Sequence, residues 1–308
     1  MKVTVAIPTH NRAKYLRQTL AGIAGQDFPR DRLEVLVIDN NSRDDTRQVV
    51  ESFAGSRPAP RYFLETAQGL DHARNRAIAE ASGDIILFAD DDILVDPDWI
   101  SSIAAPFARD DEHHIGAVGG EVTPVFPDGL PPWLDDAHEP LAYRITAGPL
   151  PPSQSPMGAN LAIPRWVFEK HGLFHTALDR QGARLFSGGD GEMIRRLREN
   201  GLEIWFVPGA NVRHQIPASR LNLGYALRHA FDSARSRVVD RAGRPGAAGY
   251  LASRFLVNAV KIPFFAMLSL LNAIILRTGA AKKALVRCWR SCGYLHQITR
   301  SSIGRNSV

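Results

Sequence analysis

Three aspartates stand side by side at residues 90–92, directly after the apolar run 85–89. Like charges at that spacing repel one another unless a cation or a solvated turn relieves them. Magnesium and manganese prefer hard oxygen donors and keep several waters, so one or two carboxylates suffice to hold them. In a turn, Asp90 and Asp92 converge while Asp91 points away, and the outer pair is the candidate ligand set for a divalent ion. The plainer reading is an acidic turn capping the helix near Pro97. An EF-hand calcium loop is excluded, because its glycine and distal glutamate are missing.

Other chemistry-bearing residues follow the ends of apolar runs. The stretch IPTHNR at 7–12 offers Thr9, Asn11 and Arg12, either as turn formers or as contacts to a phosphate or base. Asp39, in VIDNNSRDDT, accepts hydrogen bonds from a base or ribose, or merely makes a turn. Arg74 and Asn75 lie in the first turns of the helix in GLDHARNRA, where helix polarity and a planar guanidinium both favour anions. In SGGDGEMIRRLRENG, Asp190 and Glu192 sit at a helix start, where carboxylates are stabilised. Asp190 is also a candidate general base, with Glu192 as its rival. His214 closes the run GANVRH. Trp133 and Trp166 are core residues or sugar-stacking platforms. Neither the dinucleotide nor the P-loop glycine pattern is present, so any phosphate must be held by metal and arginine.

The elements that would position these residues alternate. Strands are expected at 3–7, 33–38, 61–64 and 85–89. Helices are expected at 13–24, from Asn41 or Ser42 to Phe53, at 69–81 and at 97–107. Such alternation implies a mostly parallel sheet covered on both faces, with ligands at the carboxyl ends of its strands. Thr9, Asp39 and Asp90 each fall just past such an end. The Pro- and Gly-rich stretch 123–156 is expected to be irregular, a flap over the site. Beyond it come a strand at 160–163, a helix at 165–171, a helix at 191–200 and a strand at 203–207.

The charge is uneven. Residues 1–215 carry 22 Lys/Arg against 30 Asp/Glu, a balance of −8, while 216–308 carry 15 against 2, a balance of +13. The segment 255–276 has 17 apolar residues of 22, flanked by Arg254, Arg277, Lys282, Lys283, Arg287 and Arg290. It is long enough to cross a bilayer, but Lys261 is costly at depth; the alternatives are a peripheral or re-entrant segment, with Lys261 snorkelling or Pro263 breaking the helix into an interfacial hairpin, a true span, and a soluble oligomer contact. An amphipathic helix is expected at 221–239. No interleaved aromatic–basic pattern supports a nucleic-acid partner. Cys288 and Cys292 form no disulfide framework, which fits a reducing compartment.

In order and at similar spacing, VAIPTHNRAKYL, VLVIDNNSRDDT, GLDHARNRAIAEASGDIILFADDD, GANLAIPRWVFEKHGLF and SGGDGEMIRRLRENGLEIWFVPGANVRH resemble the family 2 glycosyltransferases of the GT-A fold. The resemblance spans 1–215 and implies an α/β catalytic domain there, while the charge and apolar run of 216–308 make that part a basic helical extension expected to associate with a membrane. It implies a nucleotide-diphosphate sugar donor, a divalent ion (Mn2+ or Mg2+) and inversion at the anomeric carbon. Pro8, Thr9, Asn11, Arg12, Asp39, Arg74, Asp90 and Asp91 would hold the nucleotide. Asp90, Asp92 and His214 would hold the metal, Asn160 would lie on the acceptor side, and Asp190 would be the base. Gly189 stands where the family commonly has glutamate, which leaves Glu192 as the displaced acid. The Gln-x-x-Arg-Trp element of processive synthases has no counterpart, since QIPASRL does not supply it, so one sugar is expected per encounter. The implied acceptor is a sugar or lipid-linked molecule in bacterial surface polysaccharide or glycolipid synthesis, at the cytoplasmic face of the inner membrane. Two rival readings are a nucleotidyltransferase, which would show a glycine-rich basic N-terminal loop, and a nucleotide-sugar-binding membrane protein without catalysis, which Gly189 alone favours.

Overall fold

The computed structural model describes residues 1–134, 146–180, 182 and 184–303. Two compact units emerge. The first holds Met1–Val125, the described residues 146–176 and Gly189–Gln215, and the second holds the other described residues, 126–134, those within 177–188, and 216–303.

The first unit is built on a mixed sheet. Strands β1 (Val3–Thr9), β2 (Leu33–Asp39), β3 (Arg61–Leu64) and β4 (Ile85–Ala89) pair in parallel, in the order β3-β2-β1-β4. Every residue of β1, β2 and β4 is buried, as strands covered on both faces require. Helices α1 (Ala13–Ala24), α2 (Thr46–Glu51) and α3 (Leu70–Glu80) connect them, and α4 (Trp99–Ala104) follows β4. Helix α1 buries Leu16, Thr19, Leu20 and Ile23, one face of the helical period. Helix α2 begins later than expected, because 41–45 first turns across the rim. There Asp44 accepts from the N–H of Ala13 (2.9 Å) and from Thr46, joining the starts of α1 and α2.

Beyond β4 the sheet departs from the parallel expectation. β8 (Asn160–Pro164) pairs antiparallel with β4 and with β6 (Ile115–Val125), and β6 pairs in parallel with β9 (Glu203–Gln215). The short β5 (Ile93–Val95) and β7 (Gly148–Pro149) lie antiparallel against β9. The irregular excursion expected from residue 123 therefore begins inside β6, and its 135–145 portion lies outside the described residues. Glycines 116, 119 and 120 hide β6 in the sequence, and their reason is close approach. A Cβ at Gly120 would stand 1.9 Å from the Ala210 carbonyl oxygen, and one at Gly119 would stand 2.1 Å from Pro156. Helices α5 (Arg165–His171) and α6 (Gly189–Glu199) complete this unit.

The second unit is helical: α7 (Leu223–Ala242), α8 (Ala247–Ile274) and α9 (Thr278–Ile303). Ala234, Val238, Tyr294 and Ile298 form its core. Asp232 accepts from the N–H of Leu185, which ties the segment around Phe186 to α7. Helix α8 runs unbroken through Pro263, contrary to the hairpin alternative. The chain reverses at 275–277 instead, where Leu276 takes a positive φ of 57°. Proline removes one N–H bond, but α9 packs on both sides of it. Cys288 Sγ donates to the Ile262 carbonyl (3.6 Å), and Arg287 lies 5.9 Å from the Phe265 ring.

Candidate active site

The turn after β4 divides its three carboxylates. Asp90 and Asp92 face His214, whose Nε2 lies 3.8 Å and 2.9 Å from them, and one ligand atom from each of the three falls within 4.8 Å of the others. The ladder between β5 and β9 sets this, since Ile93 is in register with His214 and the N–H of Gln215 donates to the Asp92 carbonyl (2.8 Å). Two hard carboxylates and an imidazole suit a divalent ion. Asp91 turns inward, where it accepts from Thr9 Oγ1 (2.7 Å) and Arg12 Nη1 (3.1 Å). The same Arg12 nitrogen bonds Asp92 Oδ2, on the far side of that carboxyl from His214. Burial pushes the Asp91 carboxyl up to about 6 against the pull of Arg12. Burial opposes the charge of Arg12, but Asp91 and Asp92 outweigh it and hold the guanidinium above its ordinary range. Thr19 of α1, which sequence reasoning passed over, sets its hydroxyl against the carbonyls of Asp91 (3.0 Å) and Ile93 (2.9 Å).

The neighbouring rim is a polar mesh. β1 continues through Pro8 to Thr9 rather than stopping at the proline. β4 pairs with β1 only as far as Ala6, so Pro8 is matched on one side alone, by Ile38. Asp39 accepts from the N–H of Ser42 (2.8 Å) and from Tyr62 Oη (2.8 Å). Burial, then that bond, pushes the Tyr62 phenol up to about 12. Asn11, at φ 54°, accepts from the N–H of Arg43 through its side chain (2.7 Å).

A second charged cluster joins α3 to α6. Buried Arg74 sends Nη1 to Asp71 Oδ1 (3.0 Å) and to Asp190 Oδ1 (2.6 Å), with the rings of Phe174 and Phe88 5.2 and 6.0 Å from its guanidinium. Asp190 Oδ2 accepts from the N–H of Gly158 (3.0 Å). Gly158 lies two residues before Asn160, which is in register with Ala89, so both clusters lie at the carboxyl end of β4. Glu192 points elsewhere, between Arg196 (3.4 Å) and Arg195 (3.6 Å) of its own helix.

Asn160 differs from the expectation of an acceptor-facing side chain. It is wholly buried, accepts from Trp99 Nε1 (3.0 Å), and donates to the carbonyls of Glu121 and Ala210. Trp166 stands against His113 and His171, beyond the β8 end that pairs with the start of β4, away from the acidic turn. Trp133 belongs to the second unit, under Lys282 at 5.6 Å.

Solved structures share this architecture, which is that of the GT-A glycosyltransferases. A mannosyltransferase from Pyrobaculum calidifontis, in complex with GDP-Man and Mn2+, superposes with a TM-score of 0.57 at 22% identity, covering 99% of this chain and 88% of that one. Residues 1–349 of Staphylococcus aureus TarS, in complex with UDP-GlcNAc, superpose with a TM-score of 0.57 at 19% identity, covering 99% of this chain and 92% of that one. Residues 4–156 match the model of Glycosyl transferase family 2, and the chain belongs to that family. In sequence it is 37% identical over 115 residues to S. aureus TarS, a poly(ribitol-phosphate) beta-N-acetylglucosaminyltransferase, covering 37% of this chain and 20% of that protein. It is 26% identical over 205 residues to glycosyltransferase AglE of Haloferax volcanii, covering 66% of this chain and 64% of that protein. The matches thus span less than two thirds of these relatives.

Proposed function

We propose that this chain transfers one sugar at a time from a nucleotide-diphosphate donor to an acceptor hydroxyl, with inversion. The observation that carries the reading is the pair of clusters at one strand end: Asp90, Asp92 and His214 on one side, Arg74 and Asp190 on the other. Asp90, Asp92 and His214 would hold Mn2+ or Mg2+, which when bound stabilises the negative charge of the departing diphosphate. Thr9, Asn11, Arg12, Asp39 and Asp91 form the nucleoside rim in this reading, with Arg12 and Asp91 acting as braces of the acidic turn. Asp190 takes the proton of the acceptor hydroxyl as it attacks, and a single displacement inverts the carbon. Arg74 and the Gly158 N–H hold that carboxylate in place, while Glu192 is occupied by its own helix.

The test is transfer or hydrolysis across a donor panel with manganese. Asp190→Asn is expected to lower kcat by about 10²–10⁴ while nucleotide affinity holds. A wild-type chain that binds nucleotide yet neither transfers nor hydrolyses any donor would overturn the enzyme reading.

Residues 216–308 are the membrane-associating part of the proposal, at the cytoplasmic face of the inner membrane near a sugar or lipid-linked acceptor. Among known relatives by sequence is a Campylobacter jejuni GalNAc(5)-diNAcBac-PP-undecaprenol beta-1,3-glucosyltransferase, 39% identical over 93 residues, covering 30% of this chain and 29% of that protein. Helix α8 is the one described helix long and apolar enough to cross a bilayer, and it leaves Leu256, Val260, Leu270 and Ile274 more than 60% exposed. Helix α9 lies along it and carries Lys282, Lys283, Arg287 and Arg290 over that length. A spanning α8 would draw these four cations toward the bilayer interior, at about 2.5–3.5 kcal/mol each on insertion scales, so roughly 10 kcal/mol together. An α8 lying in the interface plane, apolar face to lipid and α9 cations at headgroup level, avoids that cost. The full chain is expected to sediment with anionic vesicles and to be released by alkaline carbonate. Resistance to carbonate would mean a span, and no sedimentation would remove the membrane surface.

A further inference from the structure

Asp71 takes no part in the reading so far, yet it is wholly buried in the first turn of α3, one hydrogen bond from Arg74. A buried carboxylate is costly without a well-placed cation, and here Asp71 and Asp190 share one nitrogen of the same guanidinium. The opposite wall is Gly189. A Cβ built there would lie 2.2 Å from Asp71 Oδ2, 2.9 Å from its Cγ and 3.0 Å from Oδ1. Positions 71 and 189 therefore compete for a single volume, and the atom in the way is a short buried side chain with little freedom to swing aside.

We propose that Asp71 is a positioning residue for Asp190: its carboxylate fills the place of a side chain on residue 189 and fixes Arg74 so that Arg74 fixes Asp190. The proposal rests on Asp190 being the base. The acid on α3 and the glycine before Asp190 are then two halves of one feature, and a carboxylate supplied from position 189 replaces one supplied from position 71. A glutamate stem is long enough to carry its oxygens from that Cβ to the guanidinium edge now bonded to Asp71. A plain capping role for Asp71 at the α3 start makes a different forecast, since asparagine also caps and keeps the volume.

The experiment compares Asp71→Asn, Asp71→Ala, Gly189→Glu and the Asp71→Ala/Gly189→Glu double variant in the full chain. Thermal unfolding and nucleotide titration give the folded fraction against which kcat is normalised. Asp71→Asn is expected to lower kcat about tenfold or more with donor KM within about twofold, the split of a group acting on the reacting geometry rather than on donor binding. Gly189→Glu alone is expected to lose both stability and activity. The double variant is expected to regain about tenfold over Asp71→Ala. Wild-type kcat in Asp71→Asn overturns the proposal, as does a folded double variant no better than Asp71→Ala. Should the double variant not fold, the kcat and KM of Asp71→Asn decide. Asp190→Asn reads the base assignment separately: an active Asp190→Asn removes the base, whereas an inactive one beside an unimpaired Asp71→Asn removes only the role of Asp71.

Discussion

Replacing Gly158 with alanine places one methyl group into the cluster that holds Asp190. The backbone of Gly158 is outside the left-handed region, so the effect is that of the added carbon alone. That carbon would stand 2.3 Å from Arg74 Nη2 and 2.4 and 2.6 Å from the two Asp190 oxygens, whereas ordinary contact begins at 3.4 Å. Each group must therefore retreat by about 1 Å. Arg74 is buried beside Phe88 and Phe174, while the Asp190 side chain is 30% exposed, so Asp190 moves and its bond to the Gly158 N–H is lost. A displacement of about 1 Å in a catalytic group costs on the order of 10²-fold, or about 3 kcal/mol of barrier. The expected result is a kcat lowered about 10²-fold, a nucleotide affinity close to wild type by calorimetry, and a stability lowered by about 1–3 kcal/mol. If Gly158→Ala retains kcat within about threefold of wild type while folded, the geometry around Asp190 does not govern catalysis.

Two predictions concern the second unit. Helices α7 and α9 cross at Gly293, where a Cβ would stand 2.2 Å from the Phe231 carbonyl oxygen; Gly293→Ala is expected to lower stability by about 1–3 kcal/mol, read by denaturant unfolding. His229 is held near 4 by burial first and by Arg180, Arg290 and Arg220, against the opposing pull of Asp232. Between about 6.5 and 4 the unfolded chain gains a proton that the folded one refuses, so stability falls with acidification in that window and is unaffected above it. The full shift corresponds to about 3 kcal/mol, reduced to roughly 1–3 because the ring is partly exposed. Unfolding midpoints followed from pH 7 to pH 4 should show the loss in wild type and a smaller one in His229→Gln.

The parallel half of the sheet was legible because β1, β2 and β4 are largely apolar runs, broken only by Thr4 and Glu34 before their polar ends. β6 was not, because three glycines needed for close packing read as a loop, and β5 is only three residues long. The same division holds at the site. Asp90 and Asp92 stood out by residue type and His214 only through the family resemblance, and it is the β5–β9 register that brings the histidine to the carboxylates. Thr19 read as one more position on an amphipathic helix. Asp71 drew no notice, because its counterpart Gly189 is remote in the chain and announces itself by lacking a side chain. Asn160 came to the acceptor side only through the family resemblance, and nothing local in the sequence showed that its amide knits β8 to the chain around Glu121, Ala210 and Trp99.

The Arg12 bridge to Asp91 and Asp92 has a consequence for assembly. Many acidic metal centres stay unfolded until the ion arrives, because nothing else offsets their crowded negative charge. Here a covalently attached cation is built into the turn, so the chain carries its own counterion through folding. On the proposed reading, chelation should strip the ion without melting the sheet, and loading would be a reversible event on a finished scaffold.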